Sequence, residues 1–162
     1  MKQLILTIVL LLPFSASLFA ADPVLNGQSS PAYDSERVIQ SFNKTVHGGI
    51  QHVVAKSADD TQQISLVQDY LQRLTNEFRK GGFSETERLH GADTPGLAQL
   101  KTAKTDEIRY EYKALSNGAQ IHYSSENPNY VQALHEWIDV QVRDHGNAVV
   151  PEHQQHHQLP AE

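Results

Sequence analysis

Ile108-Arg109-Tyr110-Glu111-Tyr112-Lys113-Ala114-Leu115-Ser116-Asn117-Gly118-Ala119-Gln120-Ile121-His122-Tyr123-Ser124 is the stretch on which the fold turns. Ile108, Tyr110 and Tyr112 alternate with Arg109, Glu111 and Lys113, and Ile121 and Tyr123 alternate with Gln120, His122 and Ser124. A period of two marks half-buried strands, because successive side chains point to opposite faces of a sheet. Asn117-Gly118 lies between the two runs, and both residue types tolerate the positive φ of a tight turn. The segment is therefore predicted to be a β-hairpin.

Downstream, Asn127-Pro128 opens a helical pattern that runs to about His145 and sets Val131, Leu134, Trp137 and Ile138 on one face, with Gly146 as its stop. Upstream, the clearest element covers residues 61–80, where Ile64, Val67, Leu71, Leu74 and Phe78 recur at helical spacing behind a cap at Asp59 or Asp60. Gly81-Gly82 ends it. Between that helix and the hairpin, Ser84-Glu85-Thr86-Glu87 resembles a capping box, and Thr94-Pro95 starts a short helix carrying Leu97 and Leu100. Before the long helix, Gly48-Gly49 reads as a break, followed by the β-prone Ile50-Gln51-His52-Val53-Val54-Ala55. Asp34-Ser35-Glu36-Arg37 opens a short helix with Val38, Ile39 and Phe42.

A faint internal echo links Gly49-Ile50-Gln51-His52-Val53-Val54 to Gly118-Ala119-Gln120-Ile121-His122-Tyr123, since each precedes a polar loop and a helix. The expected fold class is α+β, with the order β-α-β-β-α behind a short extra N-terminal helix. Right-handed crossover would set the first and third strands side by side and parallel, with both helices on one face. That is a ferredoxin-like split β-α-β lacking most of its last strand, for which Ala148-Val149-Val150 is a poor candidate.

The ends read differently. Residues 1–20 carry one positive charge at Lys2, an apolar run from Leu4 to Leu12 interrupted by Thr7, and a change to small residues before Ala20. These are the parts of a cleavable secretory signal, and the run is too short to span a bilayer. A periplasmic or secreted location follows, without a membrane anchor. Residues 21–33 read as a linker, 34–146 as one domain, and 147–162 as a disordered tail containing His153, His156 and His157.

Composition narrows the chemistry. The formal net charge is -6, one unit more negative once Lys2 is removed, and there is no Lys/Arg cluster, so nucleic acid is not an expected partner. Cysteine is absent and Met1 is the one methionine. A chain without sulfur beyond its signal holds no disulfide, thiolate zinc site, iron–sulfur cluster or covalently attached haem c. A metal would have to be held by imidazole, carboxylate or backbone oxygen, and the chain has nine histidines.

Each histidine has two readings. His47 and His52 bracket the Gly48-Gly49 segment and could reach one ion; alternatively His47 is solvated and His52, matched to Ile121 by the echo, points inward. His90 lies in a Gly/Pro-rich loop, where sites are common. His135 sits at the edge of the last helix's apolar stripe with Asp139 one turn on, a carboxylate that would orient either a metal ligand or a structural ring. His145 is ten residues further, about 280° round the helix, so it does not chelate with His135 as a simple pair and reads first as a C-terminal cap. His153, His156 and His157 form a short His-rich tract, a metal-binding composition. His122 faces away from the core beside Gln120 and is assigned no role.

No catalytic residue stands out. The sequence lacks a Gly-x-Ser-x-Gly elbow, a His-Glu-x-x-His helix, a phosphate-binding loop and a nucleotide fingerprint, which leaves hydrolysis at a histidine-held metal as the enzyme option.

Leu89-His90-Gly91-Ala92-Asp93-Thr94-Pro95-Gly96-Leu97 and Ala133-Leu134-His135-Glu136-Trp137-Ile138-Asp139-Val140-Gln141-Val142-Arg143-Asp144-His145-Gly146, with Gly48-Gly49-Ile50-Gln51, resemble a group of small exported bacterial proteins of unsettled function, many of them labelled aspartate carbamoyltransferase. The resemblance spans about residues 41–146 and draws attention to His90, His135 and His145. The group's pattern often has methionine where this chain has Thr94, so no thioether ligand carries over. Transcarbamoylase activity is not expected, because holding a phosphate-bearing substrate takes a dense set of Arg, Lys, Ser and Thr donors that the sequence does not gather.

The leading expectation is an exported protein that binds Cu(II) or Zn(II) through His47 or His52, His90 and His135, with His145 and the tail histidines His153, His156 and His157 as further ligands. The alternative is a metal-free interaction module that docks an envelope protein through an exposed patch at Tyr110, Tyr112 and Tyr123. The pattern favours no oligomeric state.

Overall fold

The computed structural model describes residues 31–148. The stretch read as a secretory signal, residues 21–30 of the stretch read as a linker, and His153, His156 and His157 lie outside the described residues.

A four-stranded antiparallel sheet of order β1-β2-β4-β3 carries four helices. The chain runs β1 (Val38–Thr45), β2 (Gly48–Ala55), α1 (Thr61–Arg79), α2 (Ser84–His90), α3 (Leu97–Leu100), β3 (Arg109–Leu115), β4 (Gly118–Ser124) and α4 (Pro128–His145). It is thus α+β, as expected from the sequence, and the hairpin and both long helices are where the periodicity put them. The hairpin, however, turns at Ser116 and Asn117; neither Asn117 nor Gly118 takes the expected positive φ, and Gly118 already belongs to β4.

Two expectations about the strands of the first half of the chain are overturned. Val38, Ile39 and Phe42 are not helical: a single 3-10 turn, Ser35–Arg37, precedes strand β1. Spacing of four residues fits a helix, yet it also keeps Val38 and Phe42 on one face of a strand, and pairing with β2 decides between the two. The resulting hairpin turns at Val46 and His47, so Gly48 and Gly49 begin a strand rather than break one. At Gly49 a Cβ would lie 2.2 Å from Ile138 Cδ1, so the glycine serves the close approach of α4.

The second correction concerns direction. The strands expected to pair in parallel, β2 and β4, are neighbours but antiparallel, with Gly48 opposite Ser124 and Val54 opposite Gly118. The extra strand β1 makes the chain two successive ββα units whose inner strands meet. This accounts for the echo between the Gly49 and Gly118 segments with β2 and β4 paired antiparallel; the parallel relation falls instead to β2 and β3, which flank β4.

Both long helices cover one face of the sheet. Val67, Leu71, Leu74 and Phe78 of α1 and Leu134, Trp137 and Ile138 of α4 pack with Phe42, Val53, Ile121 and Tyr123. Tyr110 and Tyr123 are buried in this core, and burial pushes both phenols well above their ordinary pKa, so the exposed tyrosine patch does not form. The core also reaches back to Tyr33, inside the stretch read as linker; its ring packs edge-on against Tyr70 and its hydroxyl donates to Gln40 Oε1. Asn147 and Ala148, the start of the expected tail, bind the edge of β1 through Phe42 N–H to Asn147 Oδ1 and Ala148 N–H to the Gln40 carbonyl.

Candidate functional site

His90 ends α2 and His145 ends α4, and each is followed by a glycine of positive φ, Gly91 (90°) and Gly146 (74°). A glycine there lets the chain leave the helix without a Cβ clash and leaves the last side chain free to turn toward the other helix. The two imidazoles meet edge to face, with centroids 5.1 Å apart and Nε2 atoms 3.2 Å apart. His145 also stacks on Phe42, at 6.3 Å.

The tautomers follow from the partners. Asp144 Oδ1 accepts from Arg143 Nε at 2.8 Å, and Oδ2 lies 2.7 Å from His90 Nδ1. The hydrogen bond from Arg143 first, and the one from His90 second, hold the Asp144 carboxyl below its ordinary pKa. An ionised carboxylate only accepts, so His90 Nδ1 carries the proton and its Nε2 presents a lone pair. His145 Nε2–H then donates to that lone pair while both rings are neutral. Burial, then the neighbouring His90, lower the pKa of His145 against the opposing pull of Asp144, which favours its neutral form. The His90 side chain is 4% exposed and that of Asp144 32%.

Behind the pair lies a cavity of about 30 Å³, about the room two water molecules need. Exposed Leu89 and His145 stand at its rim, and Trp137 and Gln141 line its interior. Trp137 is 4% and Gln141 5% exposed, yet Trp137 Nε1 and Gln141 Nε2 have no hydrogen-bond partner among the described residues. A buried donor left unsatisfied costs about 1–3 kcal/mol. Both donors belong to residues that line one cavity, which makes that cavity the place to look for acceptor atoms.

The other candidate histidines are elsewhere. His135 Nε2 donates to the Thr45 carbonyl at 2.9 Å, and the expected partner Asp139 instead pairs with Lys44 Nζ at 2.6 Å. Strand pairing pulls Lys44 within reach of α4, a relation that the spacing of His135 and Asp139 along the helix does not contain. His47 occupies the exposed β1–β2 turn, with Nδ1 4.0 Å from Glu126 Oε2. His52 does not point toward the helices: in the antiparallel register Gln51, not His52, pairs with Ile121, and His52 lies on the opposite sheet face with Nε2 3.2 Å from Gln120 Oε1. His122 is on that face beside Glu111. The structure therefore unites His90 with His145 and separates both from His47, His52 and His135.

Among the described residues no group of three or more His, Asp or Glu side chains is arranged to hold a metal ion. The sequence reading missed Asp144, Trp137 and Gln141. Asp144 stood beside a candidate, and the His-Gly pairs closing both helices were visible, but nothing in the spacing shows that the two helix ends touch.

No helix among the described residues is long and apolar enough to cross a membrane. No known protein family, curated protein or solved structure matches the chain.

Proposed function

We propose that this is an exported binding protein for a divalent transition metal, Cu(II) or Zn(II), seated between His90 and His145. The observation that carries the reading is the 3.2 Å separation of the two Nε2 atoms. A tetrahedral zinc ion with Zn–N bonds of about 2.0–2.1 Å sets two nitrogens about 3.3 Å apart, so the rings need little rearrangement. The ion would replace the proton shared by the rings. Asp144 would serve as the outer partner that fixes the His90 tautomer and strengthens its ring as a donor. The negative end of α4 also favours a cation at its last residue.

Two imidazoles leave the rest of the coordination sphere to other ligands, which suits a carrier that takes up and releases its cargo. Binding should weaken as pH falls, because protons compete with the metal for the ring nitrogens. Calorimetry on the protein lacking its signal segment tests the reading: Zn(II) or Cu(II) should bind, and His90→Ala or His145→Ala should weaken that binding about 100-fold while His135→Ala leaves it. Metal uptake no tighter than that of an isolated 147–162 peptide would refute the proposal.

A second reading, a metal-free envelope interaction module with structural histidines, draws on the ordinary hydrogen bond of His135 to the Thr45 carbonyl. It gives no role to the meeting of His90 with His145.

A further inference from the structure

The His90–His145 pair offers a metal two nitrogens, and the cavity behind it is lined by two residues, Trp137 and Gln141, that each carry a buried donor without an acceptor. Each half lacks what a single additional molecule could supply. Trp137 Nε1–H donates only, and the Gln141 amide nitrogen donates only, so the missing partner presents acceptor oxygen. Neither lysine nor arginine lines the cavity, which argues against a charge-dense phosphate. Glu85 also lines it, but its carboxylate is engaged by the Tyr70 hydroxyl at 3.3 Å and by Arg88 Nη2 at 2.7 Å. A cargo of net positive or zero charge suits these walls better than a free anion.

Resting on the metal reading above, we infer that the cargo is a metal chelate, a divalent ion already bound to a small α-amino carboxylate, with the carboxylate entering the cavity. In such a chelate the amine nitrogen and one carboxylate oxygen occupy two positions on the ion. His90 and His145 fill two more, completing four. The second carboxylate oxygen remains free to accept from Trp137 and Gln141. The cavity's size matches a carboxylate head, and its exposed rim at Leu89 and His145 is where the metal and the remainder of the molecule would sit. One molecule thus answers both the short ligand count and the buried unpaired donors.

The test uses the protein without its signal segment, with Zn(II), glycine and the two together as probes. Trp137 is the one tryptophan in the chain, so a single indole N–H signal in a proton–nitrogen correlation spectrum reports on the cavity directly. Zn(II) with glycine should move that signal well beyond its position with Zn(II) alone. Calorimetry should show zinc binding about tenfold tighter than competition by glycine allows, the worth of two added hydrogen bonds. Gln141→Leu and Trp137→Phe should lose that gain and keep the affinity for Zn(II) alone.

If glycine merely withdraws zinc and the indole signal stays put, the chelate inference is overturned while zinc binding at the histidine pair stands. If the indole moves with glycine alone, the ligand is the carboxylate and the chelate is wrong. If neither zinc nor zinc with glycine binds, both the metal reading and this inference fall. The indole measurement on the unaltered protein decides even if Trp137→Phe, which also loses core packing, fails to fold.

Discussion

His135 and His145 stand ten residues apart on α4 and meet opposite circumstances. His135 is in the middle of the helix, beside the β1–β2 turn, where the Thr45 carbonyl takes its Nε2 proton and Lys44 occupies the neighbouring Asp139. Its ring is one more tie between helix and sheet. His145 is at the helix end, where the chain turns away at Gly146 and a second helix brings up another imidazole, held by Asp144. Backbone carbonyls and strand partners satisfy a histidine over the sheet, whereas a histidine at a helix terminus meets whatever the loops deliver.

The largest expected effect breaks that corner from a distance. Gly96 has φ 78° and lies against α4, with a Cβ at its position only 2.1 Å from the Ala133 carbonyl oxygen. Gly96→Val would force α3 and the loop after His90 off α4, and should cost about 3 kcal/mol in a urea melt through strain and overpacking. Removing either ring of the pair comes next: His90→Ala or His145→Ala should weaken Zn(II) binding about 100-fold, roughly 2.7 kcal/mol by calorimetry. Equal loss on His135→Ala would erase the distinction between the two ends of α4.

Asp144→Asn should have a smaller effect. It keeps the shape but loses the charge that fixes the His90 tautomer, and zinc affinity should fall about tenfold. His135→Ala should lower stability by about 1 kcal/mol, one hydrogen bond, and leave zinc affinity unchanged.

The mildest effect is a pH slope in the metal-free protein. Burial and His90 lower the pKa of His145 in the folded state, so the unfolded chain binds the proton more readily. Its contribution is fully present above about pH 6.5, the unfolded value, and declines as pH falls below it toward the folded one. Urea midpoints measured between about pH 7.5 and 5.5 should drop with acidity, and less steeply in His145→Gln. An unchanged slope would place the titrating group elsewhere.

Much of the fold was legible. Alternation of Tyr110, Tyr112, Ile121 and Tyr123 on either side of a polar turn, and the helical spacing from Val67 to Phe78, are local patterns, and local rules translate them directly. Val38 to Phe42 was misread because its spacing satisfies both a helix and a strand, and only the partner strand selects one. The site was half legible: His90 and His145 stood out as residues, but their company did not. Trp137 read as core and Gln141 carried no assignment, since an unpaired donor is invisible until the atoms around it are known.

What the sequence determined by itself is the menu: no cysteine and a single methionine at residue 1, an acidic chain, nine histidines, one hairpin and two amphipathic helices. Tertiary structure alone decided which rings meet, because His90 and His145 are 55 residues apart and their contact depends on where two helices end over a sheet. Side-chain chemistry is written along the chain, but distance between remote residues is set by packing.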